Sequence, residues 1–494
     1  MGRSLAHLWR DLPGGKGLAP EELSINEICI DSRQVRPGTL FVALRGVAAD
    51  GHDYLSAALA AGATGLVVED DSSLPADVAV PVLKVTSSRH ALGQIAANYY
   101  DHPAAKMTMV AITGTNGKTT CSYLLEEVLA EAGFNPAVIG TVNYRFNGQE
   151  QAASHTTPEP VRLQGLLAEM AAGGVSHVIM EVSSHSLSQD RVAGIMFDCG
   201  IFTNLSRDHL DFHGDMASYL AAKERLFTDY LKGQAVLVDD GSSWSARLRE
   251  QLTEKLATPP LVCGGCGRGA VQGGITAQSL EGMDLTVRLG EEELSFTSPL
   301  VGEFNLRNLL AVLAAGQVLG LSPATMVATL SRAAGAPGRL ERVAGEKGPA
   351  VFVDYAHSPD ALENVLATLR PLCSGQLIVA FGCGGERDQG KRAIMGRVAG
   401  EKADYVFLTS DNPRGEEPAQ ILADIEAGLR QVRQNGYRVI ESRRKAIAQA
   451  IGSATSVDVV LLAGKGHEDY QQLADGKIFF DDRQEAREQL GAWS

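Results

Sequence analysis

The sequence lacks the features that mark membrane-spanning and secreted chains. No run of apolar residues approaches the roughly 20 that a membrane helix requires, and the opening residues, MGRSLAHLWRDLPGG, lack the apolar core of a signal peptide. Of the seven cysteines, only Cys263 and Cys266 lie close together, and no second pair follows at zinc spacing. We therefore expect a cytoplasmic protein without membrane insertion, in which this pair is a chance neighbourhood in a glycine-rich loop.

Positive charge is also scarce. The chain has 44 Lys and Arg against 59 Asp and Glu, which leaves a formal net charge of −15. Because nucleic-acid binding depends on Lys and Arg that neutralise phosphates, no nucleic acid is expected as a partner. Any anionic ligand must instead meet a local positive site within an acidic protein.

Length and pattern predict an α/β protein of three units. At about 150 residues per domain, 494 residues correspond to roughly three domains, and a monomer is expected. Polar and proline-containing interruptions at YYDHPAAKM and SRAAGAPGRLERV divide the chain into units 1–104, 105–335 and 336–494. In the second and third units apolar strands such as HVIMEV and DVVLLAG alternate with helices, which predicts mostly parallel sheets covered on both faces.

A glycine-rich turn in the second unit predicts nucleotide binding. VAITGTNGKTT places Gly117, Lys118 and Thr119 between a strand and a helix, where backbone N–H groups cradle phosphates. Lys118 would reach the terminal phosphates and the Thr119 hydroxyl would hold Mg²⁺, although Ile112 stands where the usual pattern has its first glycine. Glu181 ends the strand HVIME at the same sheet edge and could supply a further oxygen ligand. From spacing alone, His209 in SRDHLDFHG is more simply a structural hydrogen-bonding residue.

Many further motifs, in order along the chain, resemble the Mur ligase family. They run from CIDSR through TGTNGKTT, MEVSSHSLSQDRV, FTNLSRDHLDFHGDM, YLAAKERLF, GEFNLRNLLAV, VDYAHSPDAL, GCGGERDQGKR and DNPRGEEP to LLAGKGHEDY. The resemblance implies an N-terminal domain for a UDP sugar, a central P-loop ATPase and a C-terminal Rossmann-like domain for an amino acid. It also implies an ATP-dependent ligase of peptidoglycan synthesis that uses ATP and Mg²⁺.

The resemblance further implies which residues serve the nucleotide, the metal and the sugar. ATP would be bound by Gly114, Thr115, Asn116, Gly117, Lys118, Thr119, Thr120, Asn308 and Arg339. The catalytic residues would be Lys118, Glu181, His209 and Lys223, and the metal ligands Thr119, Glu181, His209 and Lys223 as a carbamate. The UDP-linked sugar dipeptide would be bound by Ile30, Ser32, Thr156, Thr157, Ser183, Gln189 and Arg191. Without the resemblance, Lys223 would be an exposed surface charge, the Thr pair a loop and Ser183 a helix cap. His155 departs from the Asn expected beside the Thr pair.

The third unit should select the amino acid. Meso-diaminopimelate resembles lysine with a second carboxylate at its far end, and the planar fork of arginine can bind a carboxylate through two N–H groups. Arg414 in DNPR matches the motif of family members that use this amino acid. The resemblance implies binding by Arg387, Asp411, Asn412, Pro413, Arg414, Gly464 and Glu468. Local charge alone would instead favour a surface Arg414 paired with Glu416 or Glu417; with the motif, these glutamates are predicted to favour the start of the next helix.

The implied reaction joins an amino acid to UDP-N-acetylmuramoyl-L-alanyl-D-glutamate. The D-Glu γ-carboxylate would attack the γ-phosphate of ATP, and the amine of diaminopimelate would then attack the acyl phosphate, releasing phosphate. Three alternatives stay open: a ligase that adds L-lysine to the same substrate, a ligase like folylpolyglutamate synthase, and a P-loop regulatory protein that binds nucleotide without ligation.

Overall fold

The computed structural model describes residues 2–12, 15, 17, 20–46, 49–264, 271–343, 345 and 347–493. The predicted chance pair of cysteines cannot be judged, because Cys266 lies outside these residues. Cys263 is a buried free thiol, as are the other five described cysteines. Across the described ranges, no helix combines the length and the hydropathy needed to cross a membrane.

The first unit is built on a four-stranded parallel sheet of order β3-β4-β5-β6. Its elements are β1 (Arg3–Ser4), α1 (Leu5–Leu8), β2 (Ser24–Ile25), β3 (Glu27–Cys29), β4 (Thr39–Val42), α2 (Leu55–Ala60), β5 (Gly65–Val68), β6 (Val82–Lys84) and α3 (Ser88–Tyr99). The strands β4 and β5 are buried along their whole length because both faces of the sheet are covered by apolar clusters.

The second unit contains an eleven-stranded sheet of order β10-β9-β8-β11-β7-β12-β13-β14-β15-β16-β17. Its strands are β7 (Thr108–Thr113), β8 (Pro136–Ile139), β9 (Asn143–Phe146), β10 (Gln149–Ala152), β11 (His177–Glu181), β12 (Phe197–Phe202), β13 (Leu231–Asp239), β14 (Leu261–Gly264), β15 (Val271–Ser279), β16 (Gly282–Leu289) and β17 (Glu292–Ser298). Its helices are α4 (Lys118–Glu131), α5 (Pro160–Ala172), α6 (Ser184–Ser188), α7 (Leu210–His213), α8 (Met216–Asp229), α9 (Ser243–Lys255), α10 (Glu303–Val318) and α11 (Pro323–Leu330).

The strands from β8 to β15 in this order are parallel, as predicted, and an apolar cluster covers each face. Antiparallel strands extend both ends of the sheet, which the alternation of strands and helices did not predict. In β16 the buried residues Met283, Leu285, Val287 and Leu289 alternate with more exposed ones, the period-two pattern of a sheet with one open face.

The third unit has a six-stranded sheet of order β18-β19-β23-β20-β21-β22, parallel except for β18. Its strands are β18 (Glu341–Val343), β19 (Ala350–Asp354), β20 (Leu377–Phe381), β21 (Tyr405–Leu408), β22 (Tyr437–Val439) and β23 (Val459–Ala463), followed by the hairpin β24 (Tyr470–Leu473) and β25 (Gly476–Phe479). Its helices are α12 (Pro359–Leu369), α13 (Gly390–Lys402), α14 (Pro418–Leu429), α15 (Arg443–Gly452) and α16 (Asp482–Gly491). The predicted boundaries near residues 104 and 335 fall between the three sheets and remain a prediction.

Candidate active site

The phosphate loop joins the carboxyl end of β7 to the first turn of α4. Gly114 and Gly117 both have positive φ, and a Cβ on either would collide with Thr203 Oγ1 or Asn308 Oδ1. Lys118 folds over the loop, and its Nζ donates to the backbone oxygens of Gly114 at 3.0 Å and Thr115 at 2.9 Å. Burial lowers the pKa of Lys118. The loop therefore offers backbone N–H groups and a lysine at a helix N-terminus without the first glycine of the usual pattern.

A cavity of about 640 Å³ opens between the phosphate loop and the third unit. Eight of the nine residues predicted to bind ATP line it, namely Thr115, Asn116, Gly117, Lys118, Thr119, Thr120, Asn308 and Arg339. The third unit contributes Tyr355 and His357, which the sequence reasoning missed although they come directly after the strand β19. The Arg339 guanidinium, also from the third unit, lies 4.6 Å from the centre of the Tyr355 ring. Its Nη2 lies 3.5 Å from Thr119 Oγ1 of the second unit, on the other side of the cavity.

Glu181 is a buried carboxylate held by two threonines. Its Oε2 accepts from Thr119 Oγ1 at 3.0 Å and from Thr141 Oγ1 at 2.8 Å, and its Oε1 accepts from the backbone N–H of Thr141 at 3.1 Å. Glu181 itself is 1% exposed. Thr141 was missed, although it follows the carboxyl end of β8 and the strand-end rule that selected Glu181 applies to it equally.

Lys223 lies inside the protein, so the interpretation as an exposed surface charge is wrong. It stands on α8, is 1% exposed, and donates from Nζ to the Gly114 backbone oxygen at 2.8 Å. Its ammonium also lies 4.5 Å from the centre of the Tyr219 ring. Burial, and then the charge of Lys118, hold the pKa of Lys223 well below its ordinary value.

The donor set fits Mg²⁺ better than a transition metal. Among the described residues, no three His, Cys, Asp or Glu are grouped where they could hold an ion together. Mg²⁺ does not need such a cage, since it is usually held by one or two carboxylates, phosphate oxygens and waters. The Thr119 hydroxyl and the Glu181 carboxylate meet beside the phosphate loop. His209 has positive φ, and its ring lies 4.8 Å from that of His185. Its side chain is half exposed, and partial desolvation lowers its pKa, which favours the neutral imidazole.

Five of the seven residues predicted to bind the sugar dipeptide form one group beside Glu181. The Thr157 hydroxyl donates to the Glu181 backbone oxygen at 2.9 Å and accepts from the Ser183 N–H at 3.2 Å. Arg191 donates to the backbone oxygen of Thr157 at 2.9 Å and to Gln189 Oε1, while Thr156 and Thr141 share a hydroxyl contact of 3.1 Å. Ser183 also caps α6, so the structural interpretation applies to it as well. Ile30 and Ser32 follow β3 in the first unit.

Arg414 is partly buried in the loop between β21 and α14. Its Nη1 donates to the Gly385 backbone oxygen at 2.8 Å and lies 3.4 Å from that of Asn412. Its Nε and Nη2 make no hydrogen bond to any described residue, so the two-pronged edge of the guanidinium is available to a ligand. Neither Glu416 nor Glu417 pairs with it among the described residues, which argues against the surface ion pair.

The prediction for Glu416 is wrong. Its carboxylate accepts from Arg392 Nη2 at 2.8 and 3.0 Å and from the backbone N–H of Glu386, rather than serving the first turn of α14. Glu417 holds the N-cap position of that helix without a side-chain capping hydrogen bond. Arg387 lies on the neighbouring loop and is exposed.

The polar residues opposite Arg414 are tied together by Lys465, which the sequence reasoning missed. Lys465 is fully buried and its Nζ lies 3.2 Å from Asn412 Oδ1 and 3.3 Å from Glu468 Oε2. Asn412 Nδ2 donates to Glu468 Oε2 at 2.8 Å, and Asn412 Oδ1 also accepts from the Gln472 N–H of the β24 strand. The side-chain oxygen of Asn412 is therefore occupied within the protein, and the residue orients Glu468. Asp411, whose carboxylate makes no hydrogen bond to the described residues, remains a free acceptor.

Three family profiles match successive parts of the chain. The profile for "Mur ligase family, catalytic domain" matches residues 24–100, that for "Mur ligase middle domain" residues 112–316, and that for "Mur ligase, glutamate ligase domain" residues 338–466. The predicted phosphate loop lies in the second match and the Arg414 loop in the third.

Curated relatives resemble the chain over nearly its whole length. A UDP-N-acetylmuramoyl-L-alanyl-D-glutamate–2,6-diaminopimelate ligase of Geobacter metallireducens is 45% identical over 94% of this chain and 93% of the relative. The protein of the same name from Gloeobacter violaceus is 45% identical over 95% and 94%. A solved structure of a ligase with that name superposes with a TM-score of 0.71 at 32% identity, covering 100% of this chain and 99% of the other.

Proposed function

Because this chain belongs to the Mur ligase family, we propose that it adds meso-diaminopimelate to UDP-N-acetylmuramoyl-L-alanyl-D-glutamate in peptidoglycan biosynthesis. The reaction consumes ATP, passes through an acyl phosphate and yields ADP and phosphate. The use of ATP and a UDP-linked substrate supports a cytoplasmic location. The names of the relatives support the substrates, and the site geometry supports the chemistry.

The observation that carries the choice of amino acid is the edge of Arg414 that has no hydrogen-bond partner among the described residues. Nη1 anchors the side chain on Gly385 O, which leaves Nε and Nη2 to bind one carboxylate through two parallel hydrogen bonds. Lysine has no second carboxylate for this edge. Glu468 and Asp411 supply negative charge on the other side, as an amino group requires. A ligase that adds L-lysine would leave Nε and Nη2 of Arg414 without a ligand carboxylate.

The first chemical step brings a carboxylate to the terminal phosphate of a highly charged nucleotide. Such transfers are helped mainly by positioning and by cations on the phosphate oxygens. Lys118 can exchange its contacts with Gly114 and Thr115 for phosphate oxygens. Mg²⁺, held by Thr119 and Glu181, would supply further positive charge at the same oxygens when bound.

We extend the metal site, on the family resemblance, to His209 and to Lys223 as a carbamate. As an ammonium, Lys223 shares the Gly114 backbone oxygen with Lys118, so two like charges lie together in a buried place. A carbamate would turn that charge negative and present oxygens to the metal. The sugar dipeptide would lie along Thr157, Ser183 and Arg191, with its D-Glu carboxylate toward Glu181 and the phosphate loop.

The test measures phosphate release with ATP, Mg²⁺ and the UDP-linked dipeptide. Four acceptor conditions are compared: meso-diaminopimelate, L-lysine, L-glutamate and none. Release with diaminopimelate alone is the expected result, and mass spectrometry should find the UDP-linked tripeptide. Phosphate release that depends on lysine would mean that the enzyme adds lysine instead of diaminopimelate. Phosphate release without any acceptor would favour the P-loop regulatory protein.

A further inference from the structure

Arg392 is a buried arginine that joins the two loops carrying the diaminopimelate arginines. It stands on α13 with 1% of its side chain exposed. Its Nη2 donates to both carboxylate oxygens of Glu416, in the Arg414 loop, and its Nη1 donates to Asp424 Oδ2 on α14 at 2.9 Å. Glu416 in turn accepts from the backbone N–H of Glu386, in the Arg387 loop. One ion pair therefore connects both loops to the helix behind them.

The two loops interlock at Gly385. Its N–H donates to the Asn412 backbone oxygen at 2.9 Å, and its own carbonyl accepts from Arg414 Nη1. A Cβ on Gly385 would collide with the Pro413 backbone oxygen, so the loops are in direct backbone contact. The anchor of the Arg414 guanidinium is thus a carbonyl whose neighbour, Glu386, is held by Glu416.

Helices α13 and α14 are also in direct backbone contact away from this ion pair. A Cβ on Gly396 would collide with the Ile425 backbone oxygen, and one on Gly428 with that of Ala393, which shows close contact along both helices. Glu416 acts outside this contact, in the loop before α14. The ion pair between Arg392 and Glu416 is therefore placed to hold the two loops in position rather than to hold the two helices together.

We propose that Arg392, acting through Glu416, is a positioning residue for diaminopimelate specificity: it fixes the carbonyl on which Arg414 is anchored. This inference rests on the proposed function, because it assigns the residue to the amino-acid site. A site held by such supporting contacts loses precision when they are removed, although every group that touches the ligand is still present.

The test compares Arg392→Lys and Glu416→Gln with Asp424→Asn. Lysine keeps the charge of Arg392 but cannot serve Glu416 and Asp424 together, and Glu416→Gln keeps the shape of a side chain that is 22% exposed. Both variants should raise the KM for diaminopimelate about tenfold or more and reduce the preference for diaminopimelate over lysine, with the KM for ATP within about twofold. Asp424→Asn removes the partner of Arg392 on α14. In this variant the KM for diaminopimelate, the KM for ATP and the preference for diaminopimelate over lysine should each stay within about twofold of the wild-type value.

Two results would overturn the proposal: an unchanged KM for diaminopimelate in Glu416→Gln, or an equal rise in Asp424→Asn. Hydrogen exchange separates this failure from failure of the proposed function. The amides of residues 384–387, 412 and 414–416 should exchange faster in Glu416→Gln than in the wild type and in Asp424→Asn. If the wild type itself shows no diaminopimelate-dependent phosphate release, the proposed function fails. Unchanged exchange in Glu416→Gln would then also reject the inference that Glu416 holds the two loops together. If Arg392→Lys does not fold, Glu416→Gln carries the test.

Discussion

Replacing Arg414 by alanine tests the contact that we propose to select diaminopimelate. The substitution removes the bidentate, charge-assisted interaction that we propose for this partly buried site, where loss of one partner costs about 2–5 kcal/mol. Because Arg414 is only partly buried, we expect the lower half of this range, about 2–3 kcal/mol, which corresponds to about a 30- to 150-fold increase in KM for diaminopimelate. Arg414 has φ near 52°, in the left-handed region. Alanine has the same strain at this φ, so the expected effect comes from loss of the arginine side chain.

The assay follows phosphate release while diaminopimelate is varied at saturating ATP and UDP-linked dipeptide. Arg414→Lys should fall between the wild type and alanine, since it keeps the charge without the fork. Arg438→Ala is the matched control, because Arg438 is an exposed arginine on β22 that pairs with Gln449. The KM for ATP should not change. A rise in KM for diaminopimelate below about threefold, or an equal rise for ATP, would refute the assignment of the Arg414 edge to the ligand carboxylate.

Three further predictions concern the buried groups around the phosphate loop. Lys223→Ala should nearly abolish ligation and be partly rescued by short carboxylates, and a fully active variant would exclude the carbamate. Thr141→Val removes the hydroxyl on Glu181 and should raise the Mg²⁺ concentration needed for half-maximal release about threefold to tenfold; an unchanged Mg²⁺ dependence would contradict the support by Thr141. Burial raises the pKa of Asp354 to about 6, so its contribution to stability is present below about pH 4 and is lost as the pH rises through 6. The Tm of Asp354→Asn relative to the wild type should therefore rise between pH 4 and 7, and a flat difference would disprove the shift.

The sequence predicted the parallel strands and their polar loops because each buried strand is a short apolar run with a loop at its end. In the structure the GERD, DNPR and GKGHE motifs follow β20, β21 and β23, at the carboxyl ends of these strands. The antiparallel extension from β15 to β17 was missed, since its exposed positions carry Gly, Ser and Glu and interrupt the apolar runs. The periodicity of strands and helices also does not predict the order of the strands in the sheet. It is this strand order that brings the loops together.

Side-chain partners were less predictable than loop positions. Lys465 stands in a motif that was noticed, yet nothing in GKGHEDY tells which of its charges is buried; only packing against Asn412 and the β24 strand decides it. Glu416 was assigned from its nearness to a helix start, whereas its actual partner, Arg392, lies 24 residues earlier. Pairing over that distance depends on the contact between α13 and α14, which no local pattern encodes.

The place of β23 in the sheet has a consequence for synthesis. It pairs with β19 and β20, although both are made long before it. A nascent chain that ends before Val459 therefore holds two strands with open, apolar edges and no partner between them, the kind of surface that promotes aggregation. The proposed amino-acid pocket includes Lys465, Glu468 and Gln472, so it can assemble only when almost the whole polypeptide has left the ribosome. Prematurely released chains are thus expected to be handled by chaperones and proteases rather than to persist as partial enzymes.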